Sequence, residues 1–191
     1  MTHQTGDVQR LRRRLNFLVL VIPQQFITLA AIYWLRFVPA FRPFDFTVPT
    51  PPPGLLLTCA GILLLPAVLP AAYFRIRSWE RGRLYPALGL RWFRYVAPDG
   101  DWVRGRLRRL DPAYRLVTNR QSRDAHFVES RRNEGWHLSW GLLGVATCGH
   151  AWSTGQYGWV VALGIWNVVF NGIPVLHQRH KRARMRHAGA Q

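Results

Sequence analysis

The sequence predicts an all-α integral membrane protein with about four transmembrane helices and an interfacial helical segment between the second and the third. Three observations predict this. Charge is absent from 15–35, 46–74 and 138–178, with histidine counted neutral. Each run can supply the roughly 20 mostly apolar residues that cross about 30 Å of hydrocarbon, and the last can supply two such helices. Between these runs arginine is concentrated, so that the chain carries a formal net charge of +17, with 26 Lys+Arg against 9 Asp+Glu. A basic nucleic-acid-binding domain has no use for long charge-free runs, so nucleic acid is excluded as the anionic partner. The 191 residues are read as a single membrane domain.

The first span is expected over 15–37. Pro23 should kink it, and Gln24 and Gln25 should face neighbouring helices rather than lipid. A cleavable leader is the weaker reading, because the apolar stretch is too long and no small-x-small site follows it. Pro39, Pro43, Pro49 and Pro51-Pro-Pro53 make 36–53 a loop. The second span is expected over 54–74. Two short spans, 134–152 and 159–176, follow from the last run, with 153–158 as the turn because Gly155 and Gly158 tolerate left-handed backbone; a re-entrant hairpin that dips in and returns is the alternative. Cys59 and Cys148 both fall in apolar runs without metal-ligand spacing, so no metal site is expected and both read as small apolar fillers.

Arginine asymmetry sets the direction. Four arginines precede the first span, two lie between the first and second, fifteen lie in 75–133, none lies in the turn at 153–158, and the tail 177–191 is strongly basic. Both termini and the segment 75–133 are therefore expected in the cytoplasm of a multi-pass cell-membrane protein. In that segment Pro86 should start a helix over 86–97, with Leu88, Trp92, Tyr95 and Val96 on one face. A basic helix with such a face usually lies in the membrane interface. Pro98-Asp-Gly-Asp101 reads as a turn, followed by a basic stretch over 103–110. Membrane lipids are the expected partners of most of these arginines.

The spacing also suggests one polar cluster. Glu134 and His137 are three residues apart, and Asn167 and Asn171 four apart, so each pair shares a helical face. Counting outward from Gly155 puts Trp140 opposite Asn171, His137 opposite Pro174 and Glu134 opposite His177, which would gather Glu134, His137, Asn171 and Arg179. A carboxylate beside an imidazole suits a general base acting on a hydroxyl, and an amide and a guanidinium suit a developing oxyanion. These four are the expected catalytic residues; a purely structural ion pair between Glu134 and Arg179 is the rival. Glu80, Tyr85, Asn167, Arg91 and Arg94 are the expected substrate-binding residues. For Glu80 the adjacent Arg77, Arg81 and Arg83 make a local ion pair the simpler role. There is no G-x-S-x-G, H-E-x-x-H, Walker loop or dinucleotide fingerprint.

Five short pieces, in order, resemble the glycosyl-diaponeurosporenoate acyltransferases of bacterial carotenoid pathways. They are Glu80-Arg-Gly-Arg-Leu-Tyr85, Gly89-Leu-Arg-Trp-Phe-Arg94 with Pro98-Asp-Gly-Asp101, Asn119-Arg120, Glu134-Gly-Trp-His137 and Asn171-Gly-Ile-Pro-Val-Leu-His-Gln-Arg179 with its basic tail. The chain departs from the family pattern at Ile173 and His180, where aromatic residues are usual. The resemblance covers about 75–186. It implies a membrane-bound acyltransferase that moves a fatty acyl group from an activated donor, such as acyl-CoA as cosubstrate, onto a sugar hydroxyl of an apolar glycolipid of carotenoid type, without a resident cofactor. The rival from another class is a non-catalytic membrane adaptor that binds anionic lipid or partner enzymes through its basic face.

Overall fold

The computed structural model describes residues 2–35, 51–77, 80, 85, 88 and 90–187. Every element among them is helical: α1 (Thr2–Leu35), α2 (Pro53–Val68), α3 (Leu90–Val96), α4 (Asp101–Leu110), α5 (Arg120–Ser153), α6 (Tyr157–Asn167), a π turn (Val168–Gly172) and α7 (Ile173–His187). Of the expected loop over 36–53, residues 36–50 lie outside the described residues, as does the Pro86 start of the interfacial helix. The contacts divide the chain into two compact units. Unit 1 comprises Met1–Gln24, Ile76–Ser130 and Arg179–Gln191; unit 2 comprises Gln25–Arg75 and Arg131–Gln178. Unit 1 holds 21 of the 26 Lys and Arg residues and 7 of the 9 Asp and Glu.

Unit 1 forms because two helices each carry an apolar stripe. In α4, Val103 and Leu107 are one turn apart and fully buried, while Arg106, Arg108 and Arg109 are exposed. They pack with Val8 and Leu15 of α1 and with Tyr114. The α3–α4 turn is the predicted one, and Asp99 adopts a left-handed backbone with φ 54°. Aspartate tolerates that region better than most residues. Its carboxylate accepts from Arg12 Nε at 2.7 Å and Arg12 Nη2 at 2.5 Å, and from Asn16 Nδ2 at 2.8 Å. Its backbone N–H donates to Asn16 Oδ1 at 2.8 Å. The residues before the first expected span are thus a working part of this unit, and α1 begins at Thr2 rather than near residue 15.

Unit 2 is built on a helical hairpin. Gly155, with φ 71°, reverses the chain between α5 and α6, and Gln156 N–H closes the turn on Ala151 O at 2.8 Å. Small residues let helices approach: Gly135 lies against Pro66 of α2, and Ser139 donates to the Ile62 carbonyl. Tyr33, Ala151 and Leu163 form its buried core, with Leu29, Trp34, Cys148, Trp159 and Val160 around them. Tyr33 Oη lies 2.6 Å from His150 Nδ1, and Trp34 Nε1 donates to Thr147 Oγ1 at 3.1 Å.

Several expected boundaries change. α2 stops at Val68, short of residue 74. α5 starts at Arg120, not 134, because Asn119 Oδ1 caps it by accepting from Ser122 N–H at 2.8 Å. Glu134 and His137 therefore sit inside a 34-residue helix rather than at its mouth. Gln24 and Gln25 are exposed; among the described side chains of α1 the buried ones are Val8, Leu15, Ala30 and Tyr33. Among the described residues one helix, Tyr157–Met185, is long and apolar enough to cross a membrane, where about four were expected. α2 is apolar but has 16 residues, and α5 is diluted by Glu134, His137, Ser139, Thr147 and His150.

Candidate active site

In unit 2, Glu134, His137, Gly141 and Gly144 recur at helical spacing along α5 and so share a face. Asn167 and Asn171 face the two glycines. A Cβ placed on Gly141 would lie 3.5 Å from Asn171 Cβ, and one on Gly144 would lie 2.6 Å from Asn167 Cγ. The register agrees within one residue with the depth counted from Gly155. Asn167 Nδ2 donates to Gly141 O at 3.0 Å, and Asn171 Nδ2 donates to Asn167 Oδ1 at 2.9 Å. The His137 imidazole interacts with the Asn171 side chain and the Phe170 backbone. Glu134 is fully buried one turn before it.

Asn171 reaches this position from the π turn, where Ile173 N–H bonds back five residues to Val168 O. A π turn inserts one residue into a helix and re-aims the side chains it carries. The arrangement is a half-buried imidazole beside an amide chain that ends on a backbone carbonyl.

Unit 1 holds a second constellation. Glu80 is wholly buried and accepts three hydrogen bonds. They come from Arg179 Nη1 at 2.7 Å, Tyr85 Oη at 2.9 Å and the Arg77 backbone N–H at 2.6 Å. Burial by itself would raise the Glu80 carboxyl. The Arg77, Arg179 and Tyr85 donors outweigh it and hold the group below the ordinary glutamate value. Among the described residues the ion-pair partner of Glu80 is Arg179, 99 residues away in sequence; the adjacent Arg81 and Arg83 lie outside the described residues. Tyr85 is itself buried, its ring 5.1 Å from that of His180.

Within each unit the described contacts connect some of the nine expected site residues. His137, Asn171 and Asn167 come together in unit 2, with Glu134 on the same helical face as His137. Glu80, Tyr85 and Arg179 come together in unit 1. Arg94 Nε donates to Asp101 Oδ2 at 2.6 Å, and the Arg91 side chain lies outside the described residues. Sequence reasoning missed the Phe170 backbone contact, which depends on the π turn and has no sequence signal. It also missed Gly141 and Gly144, although their spacing from His137 carries one. Among the described residues no three or more His, Cys, Asp or Glu are grouped to hold a metal ion.

The sequence model of one family, described as glycosyl-4,4'-diaponeurosporenoate acyltransferase, matches residues 70–190. That interval contains all nine residues. No curated protein and no solved structure matches the chain.

Proposed function

The chain belongs to the glycosyl-4,4'-diaponeurosporenoate acyltransferase family, and from that premise we propose that it moves a fatty acyl group onto a sugar hydroxyl of a glycosylated carotenoid-type lipid, with an activated acyl ester such as acyl-CoA as cosubstrate. The observation that carries the reading is the His137 imidazole set against Asn171 and the Phe170 backbone inside the family-matched region. His137 takes the proton of the acceptor hydroxyl. The oxygen attacks the acyl carbonyl and forms a tetrahedral oxyanion. Collapse breaks the bond to the leaving group, a thiolate if the donor is a thioester, and the imidazolium returns the proton to it. Glu134, one turn away on the same face, stabilises the imidazolium.

An amide nitrogen carries two hydrogens, and Asn171 gives one to Asn167. The other is the donor for the oxyanion. Arg179, the other expected oxyanion donor, is engaged with Glu80 and acts in this reading as its support.

We place unit 2 in the cell membrane as a multi-pass body with both termini cytoplasmic. Support comes from α2, none of whose residues is buried, and from exposed Leu57, Leu64, Val145, Val161 and Ile165. A reporter active only outside the cell should work when fused after Pro51 and fail after Gln191; the reverse pattern overturns this topology.

The activity test is expression in a pigment-producing host, with lipid extracts compared by mass. The wild-type chain should add an acylated glycolipid. His137→Ala, at equal expression, should lower its rate of formation by about 10²–10⁴-fold. Undiminished turnover in His137→Ala would sink the mechanism.

A further inference from the structure

α3 has two apolar faces, and unit 1 uses only one. Leu90 and Ala97 are 4% and 3% exposed and point inward. Trp92, Tyr95 and Val96, at 54%, 53% and 45%, point outward, with Leu88 before the helix at 51%. Positions 88, 92, 95 and 96 fall at helical spacing, so the outer residues form one stripe, and none of them is charged. A soluble surface helix has polar residues on such a face. Tryptophan and tyrosine combine an apolar ring with a polar tip, the combination that favours the membrane–water boundary.

The surroundings identify the occupant. The adjoining α4 exposes Arg106, Arg108 and Arg109. Unit 1 as a whole carries a large excess of positive charge, with 21 of the 26 cationic side chains against 7 acidic ones. Such a surface complements an anionic headgroup layer and repels a second copy of itself.

We infer that the Leu88–Trp92–Tyr95–Val96 stripe docks unit 1 on the interface of an anionic lipid bilayer. The stripe enters the headgroup boundary, and the exposed arginines meet the lipid phosphates. This inference does not need the acyl-transfer chemistry, but it rests on the reading that unit 2 is embedded in a bilayer.

The experiment uses the full chain in lipid nanodiscs, with Cys59 and Cys148 replaced by serine. An environment-sensitive fluorophore is attached at Trp92→Cys or at Leu57→Cys, which is 74% exposed on α2. Quenchers are carried by the lipids at headgroup depth or mid-chain. In discs containing phosphatidylglycerol, the label at 92 should shift to the blue and lose most of its emission to the headgroup quencher. In discs of phosphatidylcholine alone, or at high salt, that loss should shrink. The label at 57 should be quenched in both lipids. The double substitution Trp92→Glu, Tyr95→Glu, read from a label at Val96→Cys, should abolish the shift; both replaced residues are more than half exposed.

If the label at 57 is quenched while that at 92 stays in water, docking fails and the embedding stands. If the label at 57 is unquenched, the embedding fails and the docking inference falls with it. Equal quenching at 92 in both lipids overturns the anionic requirement. A label at 92 that shifts without lipid quenching points to a protein partner and overturns the bilayer as occupant.

Discussion

Replacing Arg179 by methionine keeps much of the side-chain stem and removes the guanidinium that faces Glu80. In unit 1 the Glu80 side chain is 0% exposed and that of Arg179 13%, with 2.7 Å between them. Loss of one partner of a buried ion pair leaves the other charge uncompensated and costs about 3–5 kcal/mol. The donors that stay, Tyr85 Oη and the Arg77 N–H, are both neutral. For a chain of this size each kcal/mol lowers the thermal midpoint by about 2–4 °C, so the expected drop is about 6–20 °C. Tyr85→Phe removes one hydrogen bond to the same carboxylate and should cost about 1.5–3 kcal/mol. Adding Glu80→Gln to Arg179→Met should restore part of the loss, because no buried charge then stands alone. The assay is thermal unfolding in detergent, followed by intrinsic tryptophan fluorescence near neutral pH. The pH dependence has a definite sign. The folded Glu80 carboxyl lies below its ordinary value of 4.5. Its stabilisation is therefore complete above that value and is lost as pH falls through the folded value, so the gap between wild type and Arg179→Met should narrow on acidification. An unchanged midpoint together with lost turnover would refute the reasoning and assign Glu80 to the substrate instead.

Two further outcomes test unit 2 and the α3–α4 turn. Gly144→Ala should destabilise by about 1–3 kcal/mol and lower turnover without touching His137. The added methyl would meet Asn167 at 2.6 Å and disturb the chain from Gly141 to Asn171, whereas Gly149→Ala on the same helix, with nothing within 4 Å, should be neutral or stabilising; equal effects in a melting and turnover comparison refute the amide-chain reading. Burial would raise the Asp99 carboxyl, but the donors Arg12 and Asn16 hold it below its ordinary 3.8. Asp99→Asn should therefore lower the midpoint at neutral pH by an amount that disappears as pH falls through the folded value, and a pH-independent effect would argue against the Arg12 pair.

Much of this protein is legible in its sequence for one reason: the relevant physics is local. Helical faces follow from spacing within one or two turns, so the shared face of Glu134 and His137, the stripe at 88–96 and the Gly155 reversal need only a few neighbours. Charge segregation is equally local, and it anticipates which unit holds the arginines. Boundaries are less legible. The expected start at 134 marks the end of a charged stretch, whereas the helix starts where Asn119 can satisfy the first N–H groups.

The composition and order of residues, by themselves, determined helicity, the basic and apolar partition, the family resemblance and the candidate set. Only the tertiary structure decided which arginine meets which carboxylate. Glu80 could have used an arginine beside it. A buried carboxylate takes the donors that packing brings to it, and packing brought Arg179 across 99 positions. The π turn that sets Asn171 beside His137 is of the same kind, because one extra residue in a helix turn is stabilised by its surroundings and not by its own sequence.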